Sequence, residues 1–198
     1  TGVFIDTAMS YISSMVPDTS YEEIKFGLST AMESLATYGI TSVHDAGAGS
    51  QVVAAYKELA EEAPLPIRVN VMLSASDPLY LDRISEGHFR SDDDTLAINS
   101  VKVVADGALG SRGAALIEDY SDEPGNRGLL RYNDERLEYL MRAAMNAGFQ
   151  VNTHAIGDAA NMIVLDNYEQ LINETNSRGM RHRVEHAQIL RYEDILRF

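Results

Sequence analysis

The 198 residues carry 16 Lys+Arg against 30 Asp+Glu, a formal net charge of −14. That balance excludes nucleic acid and anionic membrane surfaces as partners, since both require a basic face. The composition, 45% hydrophobic and 23% charged, is that of a globular domain and not of a disordered chain. No apolar run approaches the roughly 20 residues that span a bilayer. Cysteine is absent, which rules out disulfides, thiolate metal sites and a cysteine nucleophile but leaves the compartment open, with the cytoplasm as the default expectation. The start at Thr1 without Met and the end at Phe198 inside a helical pattern lead us to expect a piece of a larger protein.

The chain alternates helical patterns with short apolar runs. Ser20 and Glu23 form a capping box, Ile24, Leu28, Ala31, Met32 and Leu35 follow at helical spacing, and Gly39 stands where a glycine ends such a helix. Ile40–Val43 then reads as a strand running into His44-Asp45-Ala46-Gly47. A helix is expected over Gln51–Glu62, closed by Pro64 and Pro66, and the next strand covers Ile67–Leu73. Leu79–Gly87 suits a short helix. Ser100–Gly107 is the third strand, and Leu137, Leu140, Met141 and Ala144 mark a helix that Gly148 ends. Phe149–His154 is the fourth strand, Asp158 is placed to cap the following helix, His182–His186 is the fifth strand, and Tyr192–Phe198 begins another helix.

Five strands separated by helices make βα units, hence an α/β fold on a parallel sheet with right-handed crossovers. Measured from Thr41 through Val69, Val101 and Val151 to Val184, the steps are 28, 32, 50 and 33 residues, and three of the four suit a plain βαβ unit. The long step holds Ala108–Tyr132, rich in glycine and turn residues. It follows a strand and precedes a helix, the position from which loops contact ligands in barrel and doubly wound folds, so we expect a substrate loop there.

The polar residues gather at the strand ends: His44 and Asp45, Asp106, Thr153 and His154, Glu185 and His186. Ends of parallel strands converge, as a metal or catalytic site requires. His154 and His186 are the leading metal candidates, because neutral imidazole suits zinc and neighbouring strands can present one each. The alternative is that each caps its strand by bonding nearby backbone. His182 lies four strand residues from His186, roughly 13 Å along an extended chain, too far to share an ion with it. Lys102 interrupts a valine-rich strand on the same face as Val104 and Asp106. Either it pairs with Asp106 or Asp45, or its neutral amine takes up carbon dioxide to form a metal-bridging carbamate. Gly107–Gly113 lacks both the Walker ending and the dinucleotide spacing, so a phosphate loop is disfavoured. Arg112 within it can orient a substrate carbonyl or carboxylate, or tie the loop to an acidic neighbour.

Four ordered runs, Gly39-Ile40-Thr41-Ser42-Val43-His44-Asp45-Ala46-Gly47, Lys102 to Arg112, Thr153 to Ala160 and Arg183 to Gln188, together resemble the amidohydrolase superfamily. The nearest branch is that of N-substituted formamide deformylase-like metal-dependent hydrolases. The resemblance spans nearly the whole chain. It implies a partial (β/α)8 barrel, residues 1–198 forming its central part with strands two to six. It also implies one or two divalent ions, usually zinc, held by carbamylated Lys102 with Asp106 as the competing choice, and by His154 and His186. Arg112 and Asp106 would face substrate, and His44 would either face substrate or support the ligands from behind. The implied activity is hydrolysis of a non-peptide carbon–nitrogen bond in a small amide.

The family's opening His-x-His pair is absent from these residues, and its strand-eight Asp would lie beyond them. On its own the chain is therefore expected to bind metal weakly and to turn over little. The rival expectation is a non-catalytic α/β domain whose open sheet edges drive self-association, and a homo-oligomer is expected in either case.

Overall fold

The computed structural model describes residues 2, 4 and 6–198. In chain order its helices are α1 (Ser10–Ser13), α2 (Tyr21–Thr37), α3 (Ser50–Glu62), α4 (Tyr80–Ser85), α5 (Asp134–Asn146) and α6 (Asp158–Thr175). The strands are β1 (Ser42–Ala48), β2 (Arg68–Ser74), β3 (Phe89–Arg90), β4 (Leu96–Val104), β5 (Gln150–Ala155) and β6 (Arg183–His186). These elements divide into two compact units, one of Thr19–Val103 with Ala143–Val151, the other of Thr1–Asp18, Val104–Arg142 and Asn152–Phe198.

In the first unit α2 begins with both halves of the expected capping box. The Glu23 amide donates to Ser20 Oγ at 3.3 Å and the Ser20 amide donates to Glu23 Oε2 at 2.9 Å. It ends at Gly39, whose φ of +78° suits glycine and lets the Ile40 amide reach the Leu35 carbonyl. The helix lies on α3, where Lys25 bonds Glu58 at 2.7 Å and Glu62 at 2.6 Å. β1, β2 and β4 pair in parallel. Val69, Val71 and Leu73 of β2 and Val101 and Val103 of β4 are buried, each contributing roughly 1.5–3 kcal/mol of apolar burial.

β1 and β4 differ most from the sequence reading, and β4 ends at Val104, so Asp106 lies two residues beyond it. β1 starts at Ser42 and runs through Ala48, so His44 and Asp45 stand in mid-strand and not at its end. The ladder with β2 continues from Ser42↔Arg68 to Ala46↔Met72 and bulges at Gly47, which has φ +121°. β4 begins at Leu96, four residues early, because Asp93 Oδ1 gathers the Ser91 hydroxyl and the Thr95 amide and hydroxyl into a tight turn. That turn folds the unforeseen β3 antiparallel onto β4.

The second unit holds the parallel pair β5 and β6, in register Asn152↔Arg183 to Ala155↔His186. Behind them α6 buries Ala160, Val164, Leu165, Tyr168 and Leu171 at helical spacing. The Tyr168 hydroxyl donates to the Arg183 carbonyl at 2.8 Å and meets the Thr153 hydroxyl at 2.9 Å, so Thr153 faces the helix. Burial pushes the Tyr168 phenol above its ordinary pKa. Gly157, not Asp158, is the N-cap of α6. Asp158 enters the first turn and its Oδ1 accepts from the Ala159 amide and from the Ile117 amide, both at 2.9 Å. The helix expected at the end of the chain is a 3-10 helix, Tyr192–Arg197.

Candidate metal centre

In the second unit, alternation along β5 sets the first ligand candidate. Thr153 faces α6, so His154 projects to the opposite face, where its side chain is 16% exposed. Its Nε2 lies 3.3 Å from Asp106 Oδ1 and 3.4 Å from the Gly107 carbonyl oxygen. His186 is exposed, and its ring meets that of His154 edge-on, centroids 4.6 Å apart at 74°. Alternation alone would send residue 186 toward α6 with Val184. The left-handed backbone at His186 (φ +80°) and Ala187 (φ +43°) breaks the alternation. The Ala187 amide then bonds the Ala155 carbonyl at 3.1 Å, and Asn161 Nδ2 donates to the carbonyls of Ala155, Gly157 and Ile189, binding the turns after β5 and β6.

Asp106 is fully buried. Oδ1 accepts from the Ile156 amide at 3.0 Å, and Oδ2 accepts from the amides of Ala115 at 3.0 Å and Gly157 at 2.8 Å. These bonds tie the turn after β5 to the base of the 108–132 loop, and Oδ1, with one amide, keeps a lone-pair direction open.

That loop is built tightly. The Leu116 amide bonds the Arg127 carbonyl at 2.8 Å, the Arg131 amide bonds the Ala105 carbonyl at 2.8 Å, and the Tyr120 hydroxyl donates to the Ala114 carbonyl at 2.9 Å. Ala114 and Ala115 lie against glycine on two sides. A Cβ on Gly128 would stand 1.9 Å from the Ala114 oxygen, and one on Gly157 would stand 1.9 Å from the Ala115 oxygen. Arg112, at φ +58°, pairs with Asp122 through Nη2 at 2.7 Å and Nε at 3.3 Å, and with Glu123 at 3.2 Å. Of its two expected roles the structure shows the loop tie, made through Nε and Nη2.

In the first unit His44 is exposed, on the face of β1 opposite Asp45, which accepts from Tyr56 on α3 at 3.1 Å. Lys102 is half-buried and in register with Ser74. Its Cγ would lie 3.7 Å from a Cβ at Gly47, so the β1 bulge leaves room for the lysine stem. Among the described residues no three His, Asp or Glu side chains form a metal-binding cluster. The donor chemistry nevertheless fits two ligands of a zinc-type set: adjacent imidazoles, one backed by a carboxylate.

Sequence reasoning passed over the left-handed pair at 186–187, the triple contact of Asn161 and the glycines that flank Ala114–Ala115. Backbone strain leaves no mark in a histidine–alanine pair, whereas Gly128 and Gly157 carry a signal, since glycine allows close backbone approach.

All 198 residues match the profile of the amidohydrolase family. The Arabidopsis thaliana protein LONG AFTER FAR-RED 3 is 32% identical over 96% of this chain and 34% of its own length. An uncharacterized metal-dependent hydrolase from Pyrococcus furiosus superposes with a TM-score of 0.81 at 31% identity, over 95% of this chain and 38% of that one. Its counterpart from Pyrococcus horikoshii gives 0.79 at 30%, over 90% and 35%. The chain thus spans about a third of the length of these relatives. The expected fold class, parallel βα units of a partial (β/α)8 barrel, holds.

Proposed function

The chain belongs to the amidohydrolase family, and from that membership we propose that the protein it forms part of is a metal-dependent hydrolase of non-peptide carbon–nitrogen bonds. Water adds to the carbonyl carbon of a small amide and the C–N bond breaks, leaving an acid and an amine. A divalent ion, zinc by our reading and one or two in number, would lower the pKa of that water and polarise the carbonyl when bound. The observation that carries the proposal is the adjacent pair of imidazoles, His154 and His186, with Asp106 behind the first.

His154 and His186 are the assigned ligands. Lys102 joins them on the sequence resemblance alone, carbamylated in that reading. Gly107, beside His154, leads into the 108–132 loop, which is assigned to substrate, and Arg112 and His44 are assigned to substrate on the sequence resemblance alone. The substrate class we favour is N-formyl or other small N-acyl amides, as in the deformylase-like branch.

The test is hydrolysis of small N-formyl and N-acyl amides by the intact protein, with zinc and with chelator. Activity that chelator removes and zinc restores, and that His186→Ala abolishes, is the expected result. Chelator-resistant turnover, or full activity in His186→Ala, overturns the reading.

A further inference from the structure

We propose that the open cavity between α1 and the end of the 108–132 loop receives the substituent of the substrate amide, an apolar chain that ends in a carboxylate. One wall is fixed by backbone bonds. The Leu129 amide donates to the Gly113 carbonyl at 3.2 Å, the Arg131 amide donates to the Ala105 carbonyl at 2.8 Å, and Leu130 bridges antiparallel to Asp106. Met9, where the chain enters α1, lines the same cavity, whose volume of about 490 Å³ is that of a small-molecule site. Gly107 lines it as well, and the Gly107 carbonyl oxygen lies 3.4 Å from His154 Nε2. The cavity therefore shares a wall with the candidate metal centre.

The lining selects the occupant. Met9 and Leu129 are 57% and 51% exposed, and with Leu130 they leave apolar surface around one opening that a hydrocarbon chain would cover. Arg131 adds a positive charge to that lining, in a chain of net charge −14, and its guanidinium makes no ion pair with the described side chains. An ammonium at the end of the chain would meet repulsion there, and a neutral end would leave the guanidinium to water. A carboxylate can pair with two of its N–H groups at once. That the occupant is part of a substrate rests on the proposed function, whereas binding of such a chain by the cavity does not.

The test begins with the intact, chelator-treated protein at mildly alkaline pH, where histidines are neutral. Acetate, butyrate, hexanoate and, as the cationic control, hexylammonium are titrated calorimetrically. Binding should tighten about twofold or more per methylene from acetate to hexanoate, against the roughly fourfold of full burial. Hexylammonium should bind at least about tenfold more weakly than hexanoate. Leu129→Ser and Met9→Ser, both at exposed positions and checked for fold by near-ultraviolet dichroism, should flatten the chain-length dependence. Arg131→Gln should remove the preference for hexanoate over hexylammonium. No gain with chain length, a gain that survives in both serine variants, or equal binding of the two ions by the wild type overturns the inference. Turnover of ω-(formylamino)hexanoate and of N-formylmethylamine then separates inference from function. A lower KM for the former that Leu129→Ser erases supports both. Chain-dependent binding without chelator-sensitive turnover of either amide counts against the proposed function and leaves the cavity assignment standing. Chelator-sensitive turnover with equal KM for the two amides overturns the inference and leaves the function.

Discussion

The ring of His186 stands edge-on to the ring of His154, 4.6 Å between centroids, although alternation along β6 directs residue 186 to the other face. The reversal is made by two consecutive left-handed residues, His186 and Ala187. An L-residue with a Cβ pays about 1–2 kcal/mol there, and glycine does not. Part of that strain is released in Ala187→Gly, less the greater freedom glycine gives the unfolded chain. We expect a net gain of about 0.5–1 kcal/mol, read as a higher urea midpoint with unchanged slope. A lower midpoint would mean that the turn is unstrained.

Two glycine substitutions should act in opposite directions. Gly157→Ala places a Cβ 1.9 Å from the Ala115 oxygen, where backbone must move, and should destabilise by about 3 kcal/mol or more. Gly27→Ala lies within α2 with nothing within 4 Å of the added carbon, and should stabilise by up to about 1 kcal/mol. Thermal unfolding of the two variants beside the wild type decides both, and equal shifts would remove the case for the close approach at Ala115.

His182 supplies a pH dependence. It stacks on Tyr168 at 5.7 Å and its Nε2 meets Ser177 Oγ at 2.9 Å. Burial pulls its pKa from 6.5 down to about 4. Between these values the unfolded chain holds a proton that the folded chain does not, so this histidine's contribution is fully present above pH 6.5 and is lost as pH falls toward 4. His182→Gln should flatten the fall in urea midpoint between pH 7 and pH 4.5. Parallel curves for wild type and variant would place the titrating group elsewhere.

Arg112 separates loop support from substrate contact. Its pairs with Asp122 and Glu123 are exposed, so Arg112→Ala should cost under about 1 kcal/mol of stability. If the arginine also meets substrate, KM for an N-formyl amide should rise about tenfold, one charge-assisted hydrogen bond in magnitude. An unchanged KM confines Arg112 to the loop.

The strands and the helix caps were legible because each rests on a local pattern: valine-rich runs for β2 and β4, Ser20 with Glu23 for α2, Gly39 for its end. What stayed hidden depends on contacts distant in sequence. β1 continues through His44 and Asp45 because β2 offers it a ladder, and β3 exists because Asp93 closes a turn. Asp158 reads as a cap, but a partner 41 residues away draws it to Ile117. Among the site candidates, the two histidines stand at strand ends as their spacing suggests. Asp106 proves to be an anchor because three amides from two separate segments converge on it, which no spacing encodes.

The flanking of Ala114–Ala115 by Gly128 and Gly157 bears on how this loop can vary. Its base tolerates no added atom on either side, whereas the Leu116–Arg127 bond closes off the stretch 117–126, most of it exposed but with Tyr120 buried against the Ala114 carbonyl. Insertions, deletions and changes of charge are thereby channelled into the exposed positions on either side of Tyr120, 117–119 and 121–125. A tip grafted from a relative at these positions, with Tyr120 kept, should leave the carboxylate of Asp106 and the amides it holds undisturbed.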